Sequence, residues 1–410
     1  MIENFITSIR INHSRNVSDL EIPLSQDKRQ HLILTGKNGS GKTSLLLELN
    51  KFFSTIDNGE IQNFQSYLTK KEQFKNQLSA RLSSQEKHML EDRLKSTENA
   101  LAGFGGTEIF FSTEHLNIFN KYHSGEFILA FFDSKRHTRL TVPSGIKKIQ
   151  LKKKYNINEK ASTNFIQYIV NLKADRSFAR DDNEMDTVEK IDTWFNRLET
   201  RLKSIFDSQN LELKFDRRAY NFDIITGEGE SFNFNTLSDG YSAIISIISD
   251  LLLRMEAHNV KSYDLEGVVL IDEIETHLHV DLQKKILPFL VDFFPKLQFI
   301  VTTHSPFILS SVSNATICDL ERRTITSDLS NYSYDALIES YFISDKYSDE
   351  IKAKISEFDS LISLDKRSPE ENDTLRYLRN YFAHAPKYLS KELLVRLQQI
   401  KLKELNKKDN

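Results

Sequence analysis

The sequence feature that most constrains the fold is the glycine-rich segment GKNGSGKT at residues 36–43. An apolar run at residues 32–34 precedes it, and residues 44–53 after it have a helical composition. Glycine tolerates the backbone angles at which successive N–H groups turn toward one centre, and the dipole of a following helix adds positive charge there. A strand, this loop and a helix in that order predict a phosphate-binding loop. A chance glycine-rich turn is the alternative, and the flanking strand and helix argue against it.

The chemistry of such a loop assigns a role to two of its side chains. Lys42 places a positive charge between the β- and γ-phosphates of a nucleoside triphosphate, and the Thr43 hydroxyl can bind Mg²⁺. ATP and Mg²⁺ are therefore the expected substrate and cofactor. The residues expected to contact the nucleotide are Gly36, Asn38, Gly39, Ser40, Gly41, Lys42, Thr43 and Ser44.

Two acidic residues follow the most apolar predicted strand, residues 267–271. Carboxylates at the end of a buried strand are costly to desolvate unless a cation accompanies them. After a phosphate-binding loop, Asp272 is expected to hold Mg²⁺, directly or through water, and Glu273 to act as general base for the attacking water. An acidic cap for a helix near Val280 is the structural alternative.

The segment Leu237-Ser238-Asp239-Gly240-Tyr241 precedes a predicted helix. A serine hydroxyl and backbone N–H groups at a helix N-terminus form an anion site. The segment resembles the signature motif of ABC-type ATPases, whose commonest form is LSGGQ. The resemblance implies that Ser238, Asp239 and Gly240 bind the γ-phosphate held by the opposite subunit. Tyr241 replaces the family's usual glutamine.

Two further elements resemble the same family. A predicted strand at residues 298–302 leads to His304, in the place of the switch histidine, which implies contact with the γ-phosphate and the attacking water. Residues 15–20 resemble the R-x-[IF]-x-x-L element of SMC-like and RecF-like ATPases, which implies that Arg15 approaches the nucleotide. A solvent-exposed turn arginine is the alternative for Arg15. A zinc site at residues 273–279 is disfavoured, because the family has its subunit-contacting D-loop there.

The resemblance implies an α/β fold, the ABC-type P-loop ATPase head, whose two lobes combine antiparallel β structure with a parallel core sheet. Residues 1–56 and 108–330 are expected to form this head. The polar, charged residues between them, 57–107, have apolar side chains at helical spacing and predict a helical hairpin insertion. Residues 331–410 are expected to form a helical partner-binding domain.

Composition indicates a protein without a membrane segment. The longest apolar stretch, residues 241–255, is interrupted by Asp250 and is too short to span a bilayer. The first residues lack a charged region followed by an apolar core, so no signal peptide is expected. The single cysteine, Cys318, allows no internal disulfide, and a cytoplasmic location is predicted.

The sequences DEIETHLH and TTHSP resemble those of OLD-like and RecF-like soluble ATPases. The helical C-terminal part resembles, more loosely, PtuA-type ATPases, which act with an HNH nuclease in Septu and some retron systems. This implies an ATP-sandwich dimer or higher homo-oligomer, a sensor and scaffold that regulates an effector nuclease in anti-phage defence. No nuclease site is expected in this chain, because its last residues are helical and polar. The alternative is a RecF- or SMC-like DNA repair ATPase that clamps DNA ends.

A basic segment at residues 135–154 is the candidate DNA contact. Its cations could bind a phosphate backbone, although a solvated face or a partner-protein surface would have the same composition. The cations are Lys135, Arg136, Arg139, Lys147, Lys148, Lys152, Lys153 and Lys154.

Overall fold

The computed structural model describes residues 3–80, 83–136, 140–227, 229–256, 264–332, 336–337, 349–364 and 367–383. The chain divides into two compact units, residues 1–332 and residues 333–410. Among the described residues, no helix combines the length and apolarity that crossing a bilayer requires.

The first unit contains all the described strands and most of the described helices. Its strands are β1 (Ile6–Ser14), β2 (Val17–Pro23), β3 (His31–Thr35), β4 (Thr107–Phe111), β5 (Phe127–Phe132), β6 (Glu212–Asp216), β7 (Asn221–Ile225), β8 (Ser231–Asn233), β9 (Glu266–Ile271), β10 (Leu297–Thr302), β11 (Ala315–Asp319) and β12 (Thr324–Ser327). Its α-helices are α1 (Lys42–Asn58), α2 (Phe64–Leu78), α3 (Ser84–Ala102), α4 (His115–Ser124), α5 (Phe165–Asp181), α6 (Met185–Phe206), α7 (Asp239–Glu256), α8 (Val280–Phe293) and α9 (Pro306–Leu309).

A mostly parallel sheet forms the centre of this unit, with strand order β12-β11-β3-β10-β9-β5. Strands β3 and β10 are buried along their whole length, as expected for apolar strands covered on both faces. Because parallel strands end at the same edge of a sheet, the segments after β3, β9 and β10 meet there. The register pairs Thr302 with Leu34 and Val301 with Ile271, so these three ends are level.

An antiparallel sheet of order β2-β1-β4 lies beside the parallel sheet. Helix α1 contributes its apolar face, including Leu45, Leu49 and Phe52, to the core that the two sheets share. The buried side chain of Gln298 joins the sheets directly. Its Oε1 accepts the N–H of Ile6 at 2.7 Å, and its Nε2 donates to the carbonyl oxygens of Ile6 at 3.1 Å and Gln30 at 2.7 Å.

Helices α2 and α3 form a hairpin between α1 and β4. Helix α3 begins with a capping box, in which Ser83 Oγ accepts the N–H of Glu86 and the Glu86 carboxylate accepts the N–H of Ser83. Most of the hairpin is exposed, and Tyr67 and Leu68 near its base pack against the main core.

A third sheet, of order β6-β7-β8, is antiparallel and packs with α5 and α6. Together with the parallel sheet and the helical hairpin, it confirms the predicted α/β class with antiparallel and parallel parts.

The second unit contains a pair of helices, α10 (Asp349–Ser363) and α11 (Pro369–Ala383). The pair has a small core of its own, formed by Ile355, Phe358, Leu361, Ile362, Leu375 and Leu378. Residues 384–410 of the expected partner-binding domain lie outside the described residues.

Candidate nucleotide-binding site

The glycine-rich loop joins the end of β3 to the start of α1. Three of its glycines have positive φ angles: +133° at Gly36, +84° at Gly39 and +102° at Gly41. Other residues adopt such angles only with strain, so these glycines explain why the sequence can form this loop. Helix α1 starts at Lys42, which places the positive end of its dipole at the loop.

The interior of the loop suits a phosphate group. Lys42 Nζ donates to the carbonyl oxygens of Gly36 at 2.8 Å and Lys37 at 3.1 Å, which holds the ammonium group inside the loop. Ser40 Oγ is buried and has no hydrogen-bond partner among the described residues. Asn38 and Gly39 are exposed, and Ser44 is half-buried. A cation and a polar group without a partner, facing an open loop, fit the oxygens of a nucleotide.

The loop contacts the end of β9 through Thr43 and Asp272. Thr43 Oγ1 donates to Asp272 Oδ1 at 3.1 Å, and Thr43 is exposed. Hydroxyl and carboxylate oxygens are ligands that Mg²⁺ accepts alongside phosphate oxygens and water. Among the residues that the structure describes, no group of three or more His, Cys, Asp or Glu side chains could hold a metal ion. The oxygens of Thr43 and Asp272 could hold Mg²⁺ together with phosphate oxygens of a nucleotide.

Thr302, at the end of β10, links the two acidic residues. Its hydroxyl donates to Asp272 Oδ1 at 2.6 Å and accepts the N–H of Glu273 at 2.6 Å. The Thr302 side chain is fully buried, and Asp272 is only 4% exposed. The sequence did not identify Thr302 as a site residue, although its place next to the predicted switch histidine was a usable signal.

Glu273 adopts a left-handed backbone conformation, with φ of +44°. This conformation costs a residue other than glycine about 1–2 kcal/mol. Arg136 supports it by donating from its two terminal nitrogens to the carbonyl oxygens of Asp272 at 2.9 Å and Glu273 at 2.6 Å. Hydrogen bonds from a charged group contribute about 1.5–3 kcal/mol each, which is enough to offset the cost.

The position of Arg136 corrects one sequence-based expectation. Arg136 was placed in a basic surface that could bind DNA, but its side chain is only 5% exposed and lies against the turn after β9. Arg136 was wrongly assigned to this surface because its burial depends on the pairing of β5 with β9. The spacing of charged residues in the sequence does not show that pairing.

Two lysines of the same basic segment form ion pairs. Lys152 pairs with Glu159, and Lys154 Nζ lies 2.9 Å from Asp57 Oδ1. Arg139 lies outside the described residues. The segment is therefore less cationic in the fold than in the sequence.

His304 follows β10 and is half-buried. Its backbone N–H donates to Glu275 Oε1 at 2.5 Å. Burial and the nearby Lys42 lower the pKa of His304, which favours a neutral imidazole. Burial also raises the pKa of Glu275, whose Oε2 has no hydrogen-bond partner among the described residues. Glu275 was not predicted as a site residue.

The signature motif lies at the start of α7. Ser238 precedes the helix and its carbonyl oxygen accepts the N–H of Ser242 at 2.9 Å, while Asp239 is the first helical residue; both are exposed. Gly240 packs against the D-loop, since a Cβ atom there would lie 2.8 Å from the carbonyl oxygen of His277. Among the described residues, no hydrogen bond joins Ser238 or Asp239 to the phosphate-binding loop.

Tyr241, which replaces the usual glutamine, stacks on Phe206 with ring centroids 4.2 Å apart and planes 5° apart. The pair lines a cavity of about 310 Å³ beside Ser238. The aromatic ring is therefore used in packing between α6 and α7.

Arg15 lies in the turn between β1 and β2, where it is exposed and has a φ of 52°. The next residue, Asn16, donates from Nδ2 to the carbonyl oxygen of Gly39 at 3.1 Å. The structure thus places this turn beside the phosphate-binding loop, and a phosphate contact by Arg15 stays a prediction.

Comparison with known families finds a match for residues 157–310, to the family described as "AAA domain, putative AbiEii toxin, Type IV TA system". The matched residues include the signature motif, Asp272, Glu273 and His304.

Comparison with individual proteins finds similarity to a Septu protein and to a retron protein. Septu protein PtuA of Bacillus mycoides (strain KBAB4) is 35% identical over 127 residues, which are 31% of this chain and 17% of PtuA. The Retron Ec83 probable ATPase of Escherichia coli is 32% identical over 138 residues, which are 32% of this chain and 25% of that protein. The chain therefore matches a quarter or less of the length of these two relatives.

Among solved structures, a crystal structure of the SmcHead bound to the C-winged helix domain of ScpA covers 80% of this chain and 100% of its own, with 11% identity and a TM-score of 0.40. That score is too low to support an argument. The family and sequence matches together confirm the resemblance to soluble ATPases of the PtuA type that the motifs predict.

Proposed function

We propose that the chain binds and hydrolyses ATP with Mg²⁺ at a site that a second copy completes, and that this cycle regulates a separate effector nuclease in anti-phage defence. The observation that supports the ATPase most directly is the contact of Thr43 with Asp272, because it joins the phosphate-binding loop to the two acidic residues.

Each residue of the site has a chemical role in this proposal. Lys42 and the N–H groups of the loop bind the β- and γ-phosphates, and Thr43 and Asp272 hold Mg²⁺. Mg²⁺ held by these two residues would neutralise charge on the phosphate oxygens. Glu273 accepts a proton from the attacking water, and the neutral imidazole of His304 contacts the γ-phosphate.

The second copy is proposed to contribute Ser238, Asp239 and Gly240. The first two are exposed at the N-terminus of a helix of 18 residues, where hydroxyl and N–H groups favour an anion. Two such surfaces facing each other would enclose two nucleotides.

Regulation of a partner is proposed from the similarity to PtuA and to the retron ATPase. The helical pair α10–α11 is the proposed partner-binding element, and an HNH nuclease is the proposed effector. Tyr377 and Tyr381 on α11 are partly exposed, at 57% and 37%, and offer contact area to a partner.

The decisive experiment uses Glu273→Gln. This variant should bind ATP and form a stable dimer or larger assembly, but should release phosphate only at a small residual rate, because it lacks the general base. Light scattering after size-exclusion chromatography, with and without ATP and Mg²⁺, measures the mass. A variant that keeps its nucleotide-free mass when saturated with ATP would contradict the two-copy site.

Partner regulation needs a separate test. The chain and a candidate HNH nuclease would be co-expressed, with a tag on this chain, and the complex measured by mass. A nuclease that neither co-purifies nor changes activity with the ATP state of this chain would contradict this part of the proposal.

A further inference from the structure

We propose that Arg136 is a positioning residue for ATP hydrolysis: it holds the backbone of Asp272 and Glu273 so that the Glu273 carboxylate faces the attacking water. The inference rests on the proposed ATPase function and adds a residue from outside the motifs that predict the site.

The location of Arg136 follows from the pairing of β5 with β9. These strands are parallel neighbours, with Phe132 opposite Ile271, and the N–H of Asp272 continues the ladder by donating to the carbonyl oxygen of Phe132 at 2.9 Å. Arg136 is four residues beyond the end of β5, so its side chain reaches the turn after β9 from the neighbouring strand.

The guanidinium group contacts two successive peptide units. One terminal nitrogen donates to the carbonyl oxygen of Asp272 and the other to that of Glu273, at 2.9 and 2.6 Å. A planar fork of donors can bind two adjacent oxygens in fixed geometry, which a lysine ammonium does not reproduce. Arg136 therefore fixes the orientation of this turn as well as adding positive charge.

Glu273 needs this support because its φ is +44°. Its N–H is held by Thr302 Oγ1, and its carbonyl oxygen accepts from Arg136 and from the N–H of Thr276 at 2.9 Å, so the residue is fixed on both sides of its Cα. Its Oε2 also accepts a hydrogen bond from Thr276 Oγ1 at 3.2 Å. Loss of the Arg136 bonds would let the backbone relax toward an ordinary negative φ, and the carboxylate would leave its position.

The surroundings of Arg136 also fit a role at the site. Burial lowers the pKa of Arg136, and the nearby acidic groups of Glu275, Asp272, Asp133 and Glu273 oppose that shift, which offsets part of the cost of burying its charge. The hydrogen bonds of the guanidinium that the structure describes go to the backbone oxygens of Asp272 and Glu273, so its effect on catalysis would pass through Glu273.

Two variants of the full-length chain test the proposal. Arg136→Met removes the charge and both donors, and Arg136→Lys keeps the charge without the fork. Each should lower kcat about tenfold or more and change KM for ATP less than about threefold, since ground-state binding of ATP is retained. Direct titration with ATP should give a dissociation constant within about threefold of the wild type. Arg218→Met, which removes an exposed arginine in the turn after β6, is the matched control and should behave as the wild type.

A double-mutant cycle separates positioning from a general loss of stability. Arg136→Met should have less than about a twofold effect on the residual turnover of Glu273→Gln, because both changes remove the same function. Two outcomes would overturn the proposal. In the first, the losses of turnover in the two single variants multiply in the double variant. In the second, both Arg136 variants keep the kcat of the wild type. If Arg136→Met does not fold, Arg136→Lys is combined with Glu273→Gln instead, and the same two outcomes are compared.

The outcome also separates this inference from the function on which it rests. If the wild type and the Arg136 variants hydrolyse ATP equally well, only the role of Arg136 is contradicted. A wild-type chain that binds ATP and never hydrolyses it, alone or with its partner, removes the proposed hydrolysis and this inference with it.

Discussion

The hydroxyl of Thr43 donates a hydrogen bond to Oδ1 of Asp272 over 3.1 Å, although the two residues are 229 positions apart in the sequence. The contact places the start of α1 against the end of β9, where a divalent cation would meet oxygens from both elements. Thr43 is exposed, whereas the Asp272 carboxylate is buried.

Thr43→Val should raise the Mg²⁺ concentration that half-saturates ATP turnover by about tenfold or more, since one oxygen ligand of the cation is lost. Titration of Mg²⁺ at saturating ATP measures this. Thr43→Ser keeps the hydroxyl and is the matched control. An unchanged Mg²⁺ requirement in Thr43→Val would exclude Thr43 as a ligand.

Lys42→Ala should weaken ATP binding by about 100-fold, because a charge-assisted contact to the phosphates is lost. Isothermal titration measures the dissociation constant. Lys37→Ala is the control in the same loop, because the Lys37 side chain points to Glu321, with Nζ 2.8 Å from Oε1. This variant should change the affinity for ATP little. Equal losses in both variants would mean that the loop, and not the Lys42 ammonium, determines affinity.

The free energy of unfolding of Glu275→Gln, relative to that of the wild type, should increase as pH rises above the ordinary glutamate pKa. Burial raises the pKa of Glu275, so the folded chain keeps a proton that the unfolded chain loses above the ordinary glutamate pKa. The free energy of unfolding of the wild type therefore decreases from that pH until the raised pKa is passed, and then stays level. Glutamine is neutral throughout and keeps an oxygen to accept the His304 N–H.

Urea unfolding of Glu275→Gln and the wild type at about pH 5 and about pH 8 measures the difference. Glu212→Gln, on the exposed face of β6, is the control and should show no such trend. A stability advantage of Glu275→Gln that is the same at both pH values would show that the Glu275 carboxyl stays ionised in the folded chain.

Gly267→Ala should destabilise the chain by about 1–3 kcal/mol, the usual cost of overpacking. A Cβ atom there would lie 2.4 Å from the carbonyl oxygen of Ile128 on the neighbouring strand, so backbone must move. Gly145→Ala is the matched control, since no atom lies within 4 Å of the corresponding Cβ position. Chemical denaturation of both variants measures the costs, and a tolerated Gly267→Ala would show that β5 and β9 can separate.

The central part of the site could be predicted from the sequence because its residues follow apolar strands. A run such as residues 267–271 identifies a buried strand, and the polar residue that ends it must lie at the sheet edge. The structure brings Lys42, Thr43 and Asp272 to one edge of the sheet, since β3 and β9 both pair with β10, and their roles stay predictions.

The residues that sequence reasoning missed act through contacts without a local pattern. Arg136 is one cation among several in its segment, and its burial depends on which strand lies beside β5. Thr302 and Glu275 acquire their roles from neighbours in space, since Thr302 bonds Asp272 and Glu275 bonds the N–H of His304. The short strand β12 is likewise defined by its pairing with β11 and shows little apolar alternation.

The amide of Gln298 has a consequence for how this chain can vary. Replacing it by an apolar residue would remove the hydrogen bonds to the N–H and carbonyl of Ile6 and to the carbonyl of Gln30. A glutamate would offer no donor to the two carbonyls, and a leucine would satisfy none of the three. This link between the two sheets therefore requires a side chain at position 298 that carries both a donor and an acceptor.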